Sequence, residues 1–149
     1  MKSLFLLSIS LVVLQLAVFK ARVIGVHDGD SITVLTSDNQ QIKVRLEGID
    51  CPELKQDFGQ RAKQATSALC FGKDVRVQQT GKDRYGRTLA YVYVGDVCIN
   101  KELLKQGMAW HFKKYNSDPE YAKLENKARS QKVGLWSHPN PVAPWDFRH

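Results

Sequence analysis

Gln41-Ile42-Lys43-Val44-Arg45-Leu46 alternates polar and apolar side chains without a break, the two-residue period of a strand with one face on a core. Just upstream, Asp38-Asn39 marks a turn. Before it, Ser31-Ile32-Thr33-Val34-Leu35-Thr36 sets Ile32, Val34 and Thr36 against Ser31, Thr33 and Leu35. Val23, Ile24 and Val26 form an earlier strand, stopped by His27-Asp28-Gly29-Asp30. Two hairpin-like connections in so short a span predict an antiparallel meander. Downstream, Val75-Arg76-Val77-Gln78 and Thr88-Leu89-Ala90-Tyr91-Val92-Tyr93-Val94 read as a fourth and fifth strand joined by a polar loop from Thr80 to Arg87. Val97-Cys98-Ile99 follows the Gly95-Asp96 turn.

The helices fall between and after these strands. Phe58, Ala62, Ala65 and Leu69 recur every three or four positions, predicting a helix from Phe58 to Cys70 with Gly72 past its end. Asn100 is placed to cap a short helix that ends before Gly107. A last helix starts at Asp118 as cap, with Pro119 in the first turn and Glu120 near the positive end. Tyr121, Leu124, Glu125 and Ala128 point inward. Strands without a helix in each crossover exclude a doubly wound parallel sheet. They predict a mainly β fold with α, a closed or nearly closed five-stranded barrel with three packed helices.

The chain has 149 residues, and the first nineteen differ from the rest. Met-Lys-Ser followed by Leu4 to Leu14 has the charged start and apolar run of an export signal. Cutting after Ala17 or Ala21 would leave Gln15 or Phe19 at the minus-three position, so an uncleaved N-terminal anchor is the alternative. The expected organisation is a leader or anchor over 1–19, one folded domain over 20–137, and a Pro-rich tail over 138–149. The expected localisation is periplasmic, extracellular or membrane-anchored. An apolar fraction of 43% fits a globular chain and not a disordered one. Twenty-two Lys and Arg against 15 Asp and Glu give a net charge of +7, which favours a polyanionic partner. Cys51, Cys70 and Cys98 are an odd set without zinc spacing. One intramolecular disulfide is open to them, a complete framework is not.

Three short segments carry the chemistry. Asp28-Gly29-Asp30 is a sharp acidic turn between two strands, where glycine relaxes the backbone and the flanking acids can face one concavity. It lacks the twelve-residue oxygen-rich loop of a helix-loop-helix calcium site. Asp50-Cys51-Pro52-Glu53 follows Arg45 closely, and its proline stiffens the separation of two carboxylates. If Asp50 meets Asp30, a cation between them offsets their repulsion, and an oxygen-only donor set suits a hard ion such as calcium or magnesium. Asp83-Arg84-Tyr85-Gly86-Arg87 can deliver a guanidinium to the barrel mouth, where its fork matches two phosphate oxygens. Read singly, each segment is also an ordinary polar turn or loop. Read together, they supply what metal-assisted phosphodiester hydrolysis needs: Asp30 and Asp50 for the ion, Glu53 for the attacking water, Arg45 and Arg87 for transition-state charge.

The same residues resemble the staphylococcal nuclease (thermonuclease) family, and the likeness extends from Ala21 to Trp136. It includes Asp83 through Tyr91, Asn100 through Trp110, and Gly134-Leu135-Trp136. The resemblance implies a five-stranded OB-fold β-barrel with three helices. It implies calcium-dependent hydrolysis of DNA, single-stranded or duplex, and of RNA, endonucleolytic and leaving 3′-phosphate ends. It assigns Asp30 and Asp50 as metal ligands, Glu53 as the catalytic glutamate, and Arg45 and Arg87 as the phosphate arginines. Cys51 stands where the family has a threonine that gives the ion its backbone carbonyl, so no ligand is lost. Asp28 would stand behind the ligands, while Tyr85 and Tyr115 are candidates to stack on nucleotides. Tyr91, Tyr93, Trp110 and Trp136 are expected in the core or at the barrel rim, with His27 incidental and His111 facing either cleft or core. The protein is expected to be a monomer with no obligate protein partner. The rival reading is a nucleic-acid-binding OB module that has lost catalysis, but none of the five site residues is missing.

Overall fold

The structure is a computed structural model describing residues 17–149. The predicted leader therefore lies almost wholly outside the described residues. β1 (Val18–Asp28), β2 (Ser31–Thr36) and β3 (Gln41–Leu46) form the meander, with Val23 opposite Val34 and Ile32 opposite Val44. β5 (Asp74–Lys82) lies antiparallel to β1, and β6 (Thr88–Val94) antiparallel to β5. β3 and β6 then run parallel, Val44 against Thr88 and Leu46 against Ala90, and this pairing closes the five-stranded barrel. Closure removes the free edges that an open sheet of this size would expose. β7 (Val97–Cys98) folds back on β6, and β4 (Ile49–Asp50) forms a separate two-stranded ladder with β8 (Trp110–His111).

The strand periods read from sequence are the ones that fill the barrel: Val23, Ile32, Val34, Val44, Leu46, Val77 and Val92 are all buried. β1 starts earlier than the sequence reading has it. Val18 and Phe19, assigned there to the leader, pair with Gln78 and Val77 of β5, and Phe19 packs against the core.

α1 (Gly59–Cys70) packs Ala62 and Cys70 into the barrel core and begins one residue after the predicted start. Phe58 has a positive φ of 66° and sits outside the helix as its cap. α2 (Ile99–Lys105) corrects the sequence reading. Its cap is Cys98, and Asn100 lies inside the first turn, fully buried. The Asn100 side chain instead accepts from the Val92 amide (3.1 Å) and donates to the carbonyls of Glu47 (3.0 Å) and Ala90 (3.1 Å). Backbone groups where β6 meets the loop after β3 need partners in a dry place, and the amide side chain supplies a donor and an acceptor at once.

α3 (Pro119–Ser130) starts as predicted, the Asp118 carboxylate accepting from the Glu120 amide (2.9 Å). Its buried Glu125 accepts from the His111 amide and pairs with Arg129 (3.1 Å), which ties α3 to β8 and through β8 to Asp50. A second apolar cluster joins Trp110, Ala128, Leu135, Trp136 and Ala143, with Phe58 and Trp145 packed against it. The C-terminal segment is part of this cluster. After a 3₁₀ turn (Gly134–Ser137), the chain ends in a short helix, α4 (Pro144–Phe147). All three cysteines are buried and free.

Candidate active site

Asp30 lies in the turn after β1 and Asp50 at the end of β4, and three local features bring them together. Asp50 is the last residue of β4, fixed by its pairing with Trp110. Asp30 follows Gly29, whose φ is not positive; the glycine is needed for closeness rather than for backbone freedom. A Cβ there would lie 2.7 Å from Cys51 Sγ and 2.9 Å from the Ala62 side chain. That contact packs the first acidic turn onto the loop after Asp50 and onto α1, and the Thr66 hydroxyl of α1 donates to the Gly29 carbonyl. The Cys51 amide completes the junction by donating to Asp30 Oδ2 (2.7 Å).

Arg45 sits between the two acids. Its Nη2 is 3.4 Å from Asp30 Oδ2 and 3.4 Å from Asp50 Oδ1, while Nη1 donates to the carbonyls of Leu46 and Ile49, each at 2.9 Å. All three side chains are nearly buried. Burial works against the Arg45 charge, but Asp30 and Asp50 outweigh it and hold the guanidinium more firmly protonated than usual. Burial, with Asp30 nearby, raises Asp50 above the ordinary carboxylate range despite its hydrogen bonds from arginine. Asp28 is pushed up to about 7, first by burial and then by Asp30, and its Oδ1 accepts from the Asp30 amide (3.0 Å). An acid cluster under this strain has room for more positive charge.

The donor set fits a hard cation. Asp30 and Asp50 present carboxylate oxygens toward one point, and the backbone of Cys51 runs beside them. Among the described residues no three Asp, Glu, His or Cys side chains gather closely enough to hold an ion on their own. Backbone carbonyl and water would complete the shell, as hard divalent ions tolerate and zinc does not favour. Burial also drives the Cys51 thiol well above its usual range, so it is inert as a ligand.

Glu53 is half-buried in the loop before α1. Gly59 fixes that loop, because a Cβ at position 59 would lie 1.9 Å from the Glu53 carbonyl oxygen. Arg87 reaches the site from the β5–β6 loop. Its Nη1 donates to Ser31 Oγ (3.1 Å), which in turn is 3.4 Å from Asp30 Oδ1. Asp83 shapes the loop, accepting from the amides of Tyr85 and Arg87 (2.9 Å each) and pairing with Arg87 Nε (2.7 Å). Burial alone would raise the Asp83 carboxyl, but the Arg87 contacts prevail and hold it below its usual range.

Tyr85 is 70% exposed and flanked by the guanidiniums of Arg84 (4.9 Å) and Arg87 (5.8 Å), beside the site. Tyr115, 66% exposed, packs edge-on against Phe112, which stacks on Trp145. His27 bonds Thr33 instead of the acids, and His111 faces the core, bonded to Asn116.

One residue of the site escapes the sequence reading. Arg148, from the Pro-rich tail, places Nη1 and Nη2 on Asp50 Oδ1 (3.2 Å) and Oδ2 (2.8 Å), and Nη1 also meets Glu53 Oε1 at 2.6 Å. These hydrogen bonds, Asp50 first, raise its pKa further. No local pattern marks a charged residue near a chain terminus as a site residue. The hint available was Trp145, an aromatic anchor three positions earlier.

A small closed five-stranded barrel with acids and arginines gathered on one side of it places the chain among OB-fold proteins. A family model described as "Staphylococcal nuclease homologue" matches residues 43–138, which include Arg45, Asp50, Glu53 and Arg87. A Haemophilus influenzae protein named "Uncharacterized endonuclease" is 48% identical over 127 residues, covering 85% of this chain and 71% of its own. An Escherichia coli O157:H7 protein of the same name is 44% identical over 129 residues, covering 86% and 84%. The "Micrococcal nuclease" of Shigella flexneri is 41% identical over 141 residues, covering 87% and 80%. The chain belongs to the staphylococcal nuclease family.

Proposed function

We propose that the protein hydrolyses phosphodiester bonds in DNA and RNA with calcium as its ion, cutting within strands and leaving 3′-phosphate ends. The observation that carries this is the position of Arg45 Nη2, equidistant from Asp30 and Asp50, with Arg87 one hydroxyl away. Asp30 from a turn, Asp50 from the end of β4, Arg45 from β3 and Arg87 from the β5–β6 loop meet in one half-open place. Calcium held by Asp30 and Asp50, with the Cys51 carbonyl, would polarise a phosphate oxygen as a Lewis acid. Arg87, partly exposed, binds the phosphate and offsets the charge that builds on it in the five-coordinate transition state. Arg45 keeps the two ligand carboxylates in place and adds its own charge from beneath. Glu53 orients a water and takes its proton as the water oxygen bonds to phosphorus. The bond to the 5′ oxygen breaks, and that oxygen leaves as a hydroxyl after taking a proton from solvent. Tyr85 stacks on a neighbouring base or sugar, which adds affinity without sequence preference.

The test is cleavage of single-stranded DNA, duplex DNA and RNA by the purified chain in calcium and in chelator. The expected result is cutting in calcium, none in chelator, and a loss of at least about a hundredfold in Glu53→Gln. Binding without cutting under all conditions would overturn the reading in favour of a nucleic-acid-binding module.

Export of a monomer to the periplasm or beyond completes the proposal, with the leader removed at or before Ala17. Removal of Val18–Ala21 would strip β1 of most of its pairing with β5. N-terminal sequencing of the protein from periplasm or medium tests this. An intact Met1 in a cytoplasmic protein would refute it.

A further inference from the structure

Arg148 is held in place by more than its charge. The tail reaches the site through a fixed path: the Gln56 side-chain Nε2 donates to the Val142 carbonyl, Ala143 is buried, and the Arg148 backbone amide donates to the Pro144 carbonyl (3.1 Å). Trp145 lies flat on Phe112, with ring planes 10° apart and centroids 5.6 Å apart, and edge-on to Trp110 at 5.4 Å. The guanidinium then meets Asp50 as a two-toothed fork and Glu53 with the same Nη1. Such a fork is the strongest geometry an arginine has for a carboxylate. A short tether makes it an intramolecular partner at high effective concentration.

We propose that Arg148 is a built-in competitor for the cation at this site. It occupies both oxygens of one ligand and one oxygen of the candidate base, and it yields when a divalent ion binds. The inference rests on the reading of Asp50 as a cation ligand given above. With Arg45 already 3.4 Å from Oδ1, Asp50 has little room for an ion while Arg148 stays. An ion that shared the carboxylate with Arg148 would face a like charge at close range. By linkage, either case lowers cation affinity, and removing the competitor raises it. The competitor also sets a threshold, since the acids remain neutralised by the tail until enough divalent ion is present to displace it. Once displaced, the guanidinium is tethered beside the phosphate that follows the ion in.

The test is calorimetric titration of calcium into the full chain without nucleic acid, for the wild type, Arg148→Ala, Arg148→Lys and a chain ending at Phe147. The last retains Trp145, and its near-ultraviolet circular dichroism checks that the aromatic packing persists. The expected result is calcium binding at least about tenfold tighter in Arg148→Ala and in the shortened chain. Arg148→Lys should fall between, since an ammonium cannot span both carboxylate oxygens. Asp50→Asn should abolish binding in every background. Equal or weaker affinity in Arg148→Ala, with Asp50→Asn still abolishing binding, overturns the competition and leaves the cation site standing. Absence of calcium binding in all forms overturns both.

Discussion

Arg45→Ala removes the guanidinium that Asp30 and Asp50 both face, and its cost can be built from the contacts. Two hydrogen bonds from a charged donor to the Leu46 and Ile49 carbonyls disappear, leaving those groups dry. Asp30 and Asp50 then confront one another, with Arg148 paired to Asp50 and Glu53 but not to Asp30. Breaking a buried ion pair from one side costs about 3–5 kcal/mol. For a domain of this size that lowers the melting temperature by roughly 10–20 °C. Calcium should restore about half of the loss, because the ion replaces the charge between the acids but not the donors to the two carbonyls. Arg45→Lys should lose less in chelator and gain less from calcium. Urea unfolding of the three forms, in chelator and in millimolar calcium, gives all the required differences. A loss below about 1 kcal/mol in chelator, or no calcium rescue, would refute the placement of Arg45 between two carboxylates that take up the ion.

Other outcomes follow from the same geometry. Arg87→Ala should change stability by less than about 1 kcal/mol, since its pairing with Asp83 is partly solvated, while cleavage slows about 10²–10³-fold; equal melts with unequal rates would check it. Gly59→Ala should cost about 1–3 kcal/mol and slow cleavage roughly 10–100-fold, because the new Cβ must push the Glu53 backbone away. Asp28, raised to about 7 by burial and by Asp30, keeps a proton in the fold between about pH 4 and 7 that the unfolded chain has released. Stability in chelator should therefore fall as pH rises through that window. Asp28→Asn should flatten the fall by about 1–2 kcal/mol after allowance for partial solvation, measured by thermal melts from about pH 4 to 8.

The barrel was legible because its strands alternate cleanly and its turns carry Asp, Asn and Gly. Val23, Ile32, Val34 and Val44 occupy the interior positions their period assigns. The acids were legible as types, and Arg45 and Arg87 as partners, but their convergence depends on contacts far apart in sequence. Gly29 against Cys51 and β4 against β8 leave no periodic trace. Asn100 misled because the residue type that caps helices also satisfies stranded backbone groups inside a core, and which role it takes is set by where β6 closes on β3. Arg148 was invisible for a related reason. The prolines mark residues 138–149 as a tail, whereas the aromatic seat for Trp145 is assembled from Trp110 and Phe112, more than thirty residues away.

The most direct test is a crystal of the protein grown with calcium and a non-hydrolysable dinucleotide. The expected result is anomalous scattering from an ion bonded to Asp30 and Asp50, a phosphate oxygen on that ion, Arg87 on the same phosphate, and Glu53 facing it from the opposite side. An ion bound elsewhere, or a phosphate seated out of reach of Arg87 and Glu53, would contradict it.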